Sequence, residues 1–186
     1  MTSRSDPQHE VRLLERVRER DRDAFEELYR LYAPRLFGYL LRVTRRPEVV
    51  EEVVDEVLLT VWRQAGQFEG RSRPSTWIFG IAYRKAMRAL RRQRRRPETD
   101  PLPPDLRAST EGPEGRTIRR ERAEMLSRAL AELSPDQRAV IELTYYQGFS
   151  CREAAEALGC PEGTVKTRMY YARRRLSGVL DSQVGS

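Results

Sequence analysis

The sequence predicts an all-α fold: two small helical domains, an N-terminal helical bundle and a C-terminal helix-turn-helix, joined by a flexible acidic linker. Three observations carry this. Apolar residues recur at helical spacing along most of the chain, and strand-type alternation is nearly absent. Glycine and proline fall mostly between the periodic segments. A short helical pattern from Ser150 to Leu158 runs into a turn at Gly159, and a second helix opens near Thr164, the signature of a helix-turn-helix. A chain of 186 residues, 39% hydrophobic and 8% aromatic, can hold one large or two small domains with modest cores.

The elements follow in order. His9 to Arg20 reads as a short helix. Asp21 or Asp23 can cap the next, which places Phe25, Leu28, Tyr29, Tyr32, Leu36, Tyr39 and Leu40 on one face. Pro34 should kink or split it, because proline lacks the N–H and clashes with the preceding turn. Pro47 stands at a favoured first position of a third helix, with an apolar stripe of Val50, Val53, Val54, Val57, Leu58 and Val61. Ser75 is the expected N-cap of a fourth helix, which runs into Arg91–Arg96 and ends at Pro97. Residues 97–115 then hold five acids, one arginine, five prolines and two glycines, the composition of a linker. Helices are expected near Thr117–Glu132, Pro135–Gln147 (with Ser134 as N-cap), Ser150–Leu158 and Thr164–Leu180. The domains therefore span 1–96 and 116–181.

Charge narrows the function. The net charge is +7, and it is clustered: residues 71–96 carry ten Lys/Arg and no acid, and Gly163–Leu176 carries five and no acid. Such patches suit a polyanion. Two cysteines, Cys151 and Cys160, and one histidine, His9, cannot build a four-ligand zinc site, so no metal is expected. No glycine-rich phosphate loop or nucleophile motif is present, which argues against catalytic residues, an enzyme or a cofactor. The thiols read as reduced and half-buried. No apolar run reaches membrane-spanning length and the first ten residues are polar, so a cytoplasmic protein without membrane insertion is expected.

Several segments together resemble the extracytoplasmic-function (ECF) sigma factors, the smallest class of bacterial RNA polymerase initiation factors. Glu51-Glu52-Val53-Val54-Asp55-Glu56-Val57-Leu58-Leu59-Thr60-Val61-Trp62 resembles the family's acidic, tryptophan-ended polymerase-binding helix. Phe68 through Ala82 resembles the promoter-melting segment, and Leu133-Ser134-Pro135-Asp136-Gln137-Arg138 with Gly163-Thr164-Val165-Lys166 to Arg168 resembles the second DNA-binding domain. The resemblance spans nearly the whole chain. It implies three partners: bacterial RNA polymerase core, promoter DNA (duplex at −35, single-stranded at −10) and an anti-sigma factor.

The resemblance also assigns residues. Glu51, Glu52, Asp55 and Glu56 would steer docking onto a basic coiled coil of the polymerase, with Val54, Leu58 or Trp62 as apolar contacts. Arg71, Ser72, Arg73, Trp77, Tyr83, Arg84, Lys85 and Arg88 would hold the melted −10 strand, since cations meet its phosphates and rings stack on its bases. Trp77 suits core packing equally well. Thr164, Lys166, Thr167, Arg168, Tyr171 and Arg174 would face the −35 duplex, where Lys and Arg donate to guanine acceptors and phosphates. Arg173, Arg174 and Arg175 read either as phosphate contacts or as a solvated helix end. Three departures stand out: Arg84 replaces a frequent Asn, Tyr171 a frequent base-reading Arg, and Thr144 a frequent Arg. The acidic linker would thread the channel for nascent RNA or act as a plain spacer. The alternative to a sigma factor is a free-standing helix-turn-helix regulator. The first 96 residues separate the two, because they hold a second nucleic-acid patch and an acidic docking helix rather than a ligand pocket.

Overall fold

A computed structural model describes residues 6–93 and 130–184, and all regular structure among them is helical. The N-terminal half comprises α1 (Pro7–Arg18), α2 (Arg22–Thr44), α3 (Pro47–Gln64) and α4 (Pro74–Gln93), with a single 3₁₀ turn, Ala65–Gln67, after α3. The C-terminal half comprises α5 (Pro135–Ile141), α6 (Cys151–Leu158) and α7 (Glu162–Val184). The linker 97–115 and the helix expected near Thr117–Glu132, apart from its last residues, lie outside the described residues.

Local chemistry starts and stops the helices. Asp21 caps α2 by accepting from the Ala24 N–H. Ser134 and Ser150 each form a reciprocal capping box, with Gln137 and Glu153. Pro47 occupies the first turn of α3 as expected. Gly159, left-handed at φ 63°, ends α6 in a Schellman closure: its N–H donates to Glu156 O at 3.2 Å, and the Cys160 N–H donates to Ala155 O at 3.0 Å.

Three expectations need correction. Pro34 does not split α2, which runs unbroken to Thr44; Leu28, Tyr32, Leu36 and Tyr39 are buried on both sides of the proline, and that packing outweighs the lost backbone bond. Ser75 is no cap: α4 already begins at Pro74 and Ser75 is buried within its first turn. The helix expected over Pro135–Gln147 is α-helical only to Ile141, after which Glu142–Tyr146 widens to a π-turn.

The two halves pack directly on each other, chiefly α4 on α6 and α2 on α5. A single cluster of buried side chains runs from Leu13 and Val17 through Tyr39, Ile78 and Phe79 into Val140, Leu143, Ala154 and Val165. A smaller cluster, Leu130, Leu133, Ile141 and Ala172, braces α7. The Phe79 ring bridges the seam, edge-on to Tyr39 at 5.1 Å and to Phe149 at 5.6 Å. At Gly80 the backbones nearly touch: a Cβ there would lie 3.2 Å from Ala157 O.

Polar contacts cross the same seam. Arg42 Nε lies 2.6 Å from Glu142 Oε2. Arg138, 93% buried, donates from Nε to Val43 O at 2.9 Å, so a side chain of one half caps the C-terminal end of α2 in the other.

Candidate nucleic-acid interface

α7 is two-faced. Val165 and Ala172 are fully buried, with Met169 and Leu176 packed beside them, while Lys166, Thr167, Tyr170, Tyr171, Arg173, Arg174 and Arg175 face outward. Thr164 is half-buried at the first turn. The Schellman turn fixes the angle at which this helix leaves α6, and so sets the direction of the cationic face. Lys166 pairs with Glu162 at 2.8 Å, a bond that raises its pKa. The Thr167 hydroxyl donates to Gly163 O at 2.9 Å, leaving its oxygen lone pairs for a partner. Arg168 differs from the rest: it turns inward, with Nη2 2.6 Å from Asp136 Oδ2 and Nη1 3.8 Å from Cys160 Sγ. Both cysteines are free thiols, half-buried as expected. Thr144 is half-buried and donates to Val140 O at 2.8 Å.

α4 buries Thr76, Ile78, Phe79, Ile81, Ala82 and Ala86. Trp77 is half-buried against Phe68, 5.6 Å between ring centres, so packing and a partly open ring coexist at one residue. Arg84 and Arg88 are exposed, Arg84 with its guanidinium reaching back over Gly80 at the edge of the seam. In the preceding loop Arg71 pairs with Glu69 at 2.6 Å, and Ser72 is half-buried. The other members of the set are engaged within the molecule. Lys85 meets Glu56 at 3.1 Å. Arg73 meets Glu153 of the C-terminal half, also at 3.1 Å. The Tyr83 hydroxyl donates to Asp136 Oδ1 at 2.8 Å, and burial followed by that bond pushes its pKa up to about 12.

α3 presents Glu51, Glu52, Asp55 and Glu56 to solvent. Val54 and Leu58, expected as apolar docking contacts, are 5% and 1% exposed; they hold the helix from beneath and face no partner. Trp62 is half-buried between the Phe25 ring at 5.0 Å and the Arg20 guanidinium at 5.4 Å. The acids fall into two flanks. Glu52 and Glu56 lean toward α4, where Arg92 and Lys85 meet them. Asp55 instead accepts from the Tyr29 hydroxyl at 3.2 Å. Glu51, Asp55 and Leu59 share one face at four-residue spacing. Leu59 and Tyr29, at 46% and 40%, are exposed apolar groups beside these acids, and neither is assigned a role in the sequence analysis. The spacing 51, 55, 59 was the available signal.

The described residues thus include two cationic helices and one acidic helix. These features define a class, a helix-turn-helix DNA-binding protein with a second cationic helix. Residues 28–96 match the family "Sigma-70 region 2" and residues 123–176 match "Sigma-70, region 4". The chain is 35% identical to the ECF RNA polymerase sigma factor RpoE of Cereibacter sphaeroides, covering 95% of this chain and 97% of that one. It is 34% identical to the ECF sigma factor SigL of Mycobacterium tuberculosis, over 80% and 84% of the two chains. Among solved structures, the sigma factor RpoE of Bartonella quintana, in complex with the anti-sigma factor NepR, is similar at 27% identity and a TM-score of 0.67, over 84% of this chain and 96% of that one. CnrH, in complex with the cytosolic domain of CnrY, shares the fold: 24% identity and a TM-score of 0.70, over 94% and 98%.

The chain belongs to the ECF family of RNA polymerase sigma factors. Its function is that of the family, promoter-specific initiation of transcription together with core polymerase. No helix among the described residues is long and apolar enough to cross a membrane.

Proposed function

We propose that this sigma factor divides its work among three helices: α3 docks on core polymerase, α4 with the loop before it takes the melted −10 strand, and α7 reads the −35 duplex. One observation carries the assignment. A single chain presents an acidic helix edged by exposed Tyr29 and Leu59, and two separate helices whose outer faces are cationic. The acidic flank of Glu51 and Asp55 suits a basic partner element, with Leu59 and Tyr29 as its apolar anchors. Arg84 and Arg88, with Arg71 in the loop, supply phosphate affinity on the −10 side, and Trp77 presents a ring edge for a base. Lys166, Thr167, Tyr171 and Arg174 form the outward part of the −35 surface, and Arg168 stands at its inner margin.

The working units are 1–96 and 116–181, with 97–115 as the connection. The factor has no catalysis of its own and acts in the cytoplasm, where polymerase and chromosome are. An anti-sigma factor is its natural antagonist, as NepR partners the similar factor of Bartonella quintana.

Reconstituted transcription tests the proposal. The purified chain is added to bacterial core polymerase on pooled genomic promoter fragments, and the transcript starts are sequenced. Discrete starts that require the chain, sharing one upstream and one −10 motif, are expected. Duplex binding by the chain alone without any dependent start would sink it.

A further inference from the structure

We propose that Asp136 is a positioning residue for −35 recognition, holding the Arg168 guanidinium in the orientation from which it meets a base edge or phosphate. The inference rests on the reading of α7 as the −35 helix.

Asp136 is the second residue of α5, just past the Ser134 capping box. The box already satisfies the Ser134 and Gln137 N–H groups without it. Both carboxylate oxygens point away from α5. Oδ2 lies 2.6 Å from Arg168 Nη2, and Oδ1 accepts from the Tyr83 hydroxyl at 2.8 Å. On the opposite side the Arg168 Nη1 group approaches Cys160 Sγ at 3.8 Å, so the guanidinium is gripped between α5 and the turn that starts α7. It is the only arginine of α7's first two turns, and its side chain is 25% exposed.

Two of its five N–H groups are engaged this way and three remain, enough for a bidentate contact with the O6 and N7 acceptors of guanine. An unrestrained arginine samples many rotamers and loses that freedom on binding; one fixed beforehand loses less. A carboxylate near DNA repels phosphates, so Asp136 helps recognition only through the cation it holds. Tyr83 belongs to the other half of the molecule and bonds the other oxygen, so the Asp136–Arg168 bond uses no group of that half.

The test uses holoenzyme built from the full chain and core polymerase, selecting from promoter duplexes randomised across the −35 window. Arg168→Ala is expected to flatten base preference at one or two adjacent positions by roughly tenfold. Asp136→Ala is expected to flatten the same positions by a smaller factor, Asp136→Glu to restore part of the preference, and the double variant to match Arg168→Ala alone. Thermal melts check folding, and Asp136→Asn supplies the measurement should the alanine variant fail to fold. An unchanged Asp136→Ala profile beside a flattened Arg168→Ala profile overturns the positioning role and leaves the reading of α7 standing. Losses that add in the double variant, or that fall at other positions, also overturn it. An unchanged Arg168→Ala profile removes Arg168 from recognition and the inference with it.

Discussion

Glu142 enters the seam between the halves only by giving up its hydration. Burial pushes its carboxyl up to about 7 from an ordinary 4.5, against the opposing pull of the Arg42 guanidinium. Between those two values the folded protein keeps a proton that the unfolded chain has already released. Stability from this group is therefore fullest below about 4.5, falls as pH rises through the window, and levels off above about 7. Glu142→Gln should flatten that dependence, which urea melts across the window will register. Arg138 makes a second residue-scale prediction. It donates to the carbonyls of Val43, Leu130 and Leu133, and truncation removes this donor from all three, Leu130 alone keeping the Leu133 N–H. Arg138→Ala is expected to cost about 3 kcal/mol in chemical denaturation. On the proposed docking face, charge reversal at Glu51 and Asp55 is expected to weaken core binding roughly a hundredfold, and more than reversal at Glu52 and Glu56, which already face Arg92 and Lys85. Equal losses from the two flanks in a direct binding assay would contradict the division.

Helix boundaries were the most legible feature of the sequence, because caps act within three or four residues. Asp21, Pro47, Ser134 and Gly159 all do what their positions promised. The apolar stripes of α2, α3 and α7 were equally readable. What escaped notice depends on distant partners. Nothing local marks Glu142–Tyr146 as a π-turn; there the Gln147 N–H reaches back to Glu142 O and the Phe149 N–H to Leu143 O, a register that delivers Phe149 to Phe79. The burial of Val54 and Leu58 is not legible, because an aliphatic residue on an acidic helix looks the same whether it faces core or partner. In the sequence Gly80 stands only as one residue of the Phe68–Ala82 segment. Glycine in mid-helix costs up to about 1 kcal/mol relative to alanine, and here that cost is offset by the approach of α4 to α6. Gly80→Val is expected to push the halves apart while leaving each half helical. Small-angle scattering should show a larger radius of gyration with little change in circular dichroism.

At the scale of the whole molecule, the seam and the proposed function make opposing demands. The −10 and −35 elements lie, by their names, about 25 base pairs apart, or ~85 Å at 3.4 Å per step. A compact chain of this length has a radius of gyration of roughly 16 Å and a breadth near 40 Å. On the proposed assignment the packed form cannot touch both elements, and α4 and α7 are expected to separate when the promoter is engaged. Dyes placed on exposed positions of α1 and α7 are expected to lose energy transfer on addition of core polymerase and promoter; unchanged transfer would exclude opening. None of this was visible in the sequence, which suggested two domains with cores of their own. Arg42 and Glu142 stand 100 residues apart, and no spacing rule pairs them.

The backbone contact at Gly80 and the Arg138 cap on α2 then have a thermodynamic meaning beyond structure. If core polymerase accepts only the parted form, its apparent dissociation constant is the intrinsic one divided by the fraction of molecules already parted. Each ~1.4 kcal/mol by which the seam favours closure weakens apparent binding about tenfold, without any change in the docking face. Substitutions at the seam would tune how strongly this factor competes for a limited pool of polymerase, and Gly80→Val would make it the stronger competitor.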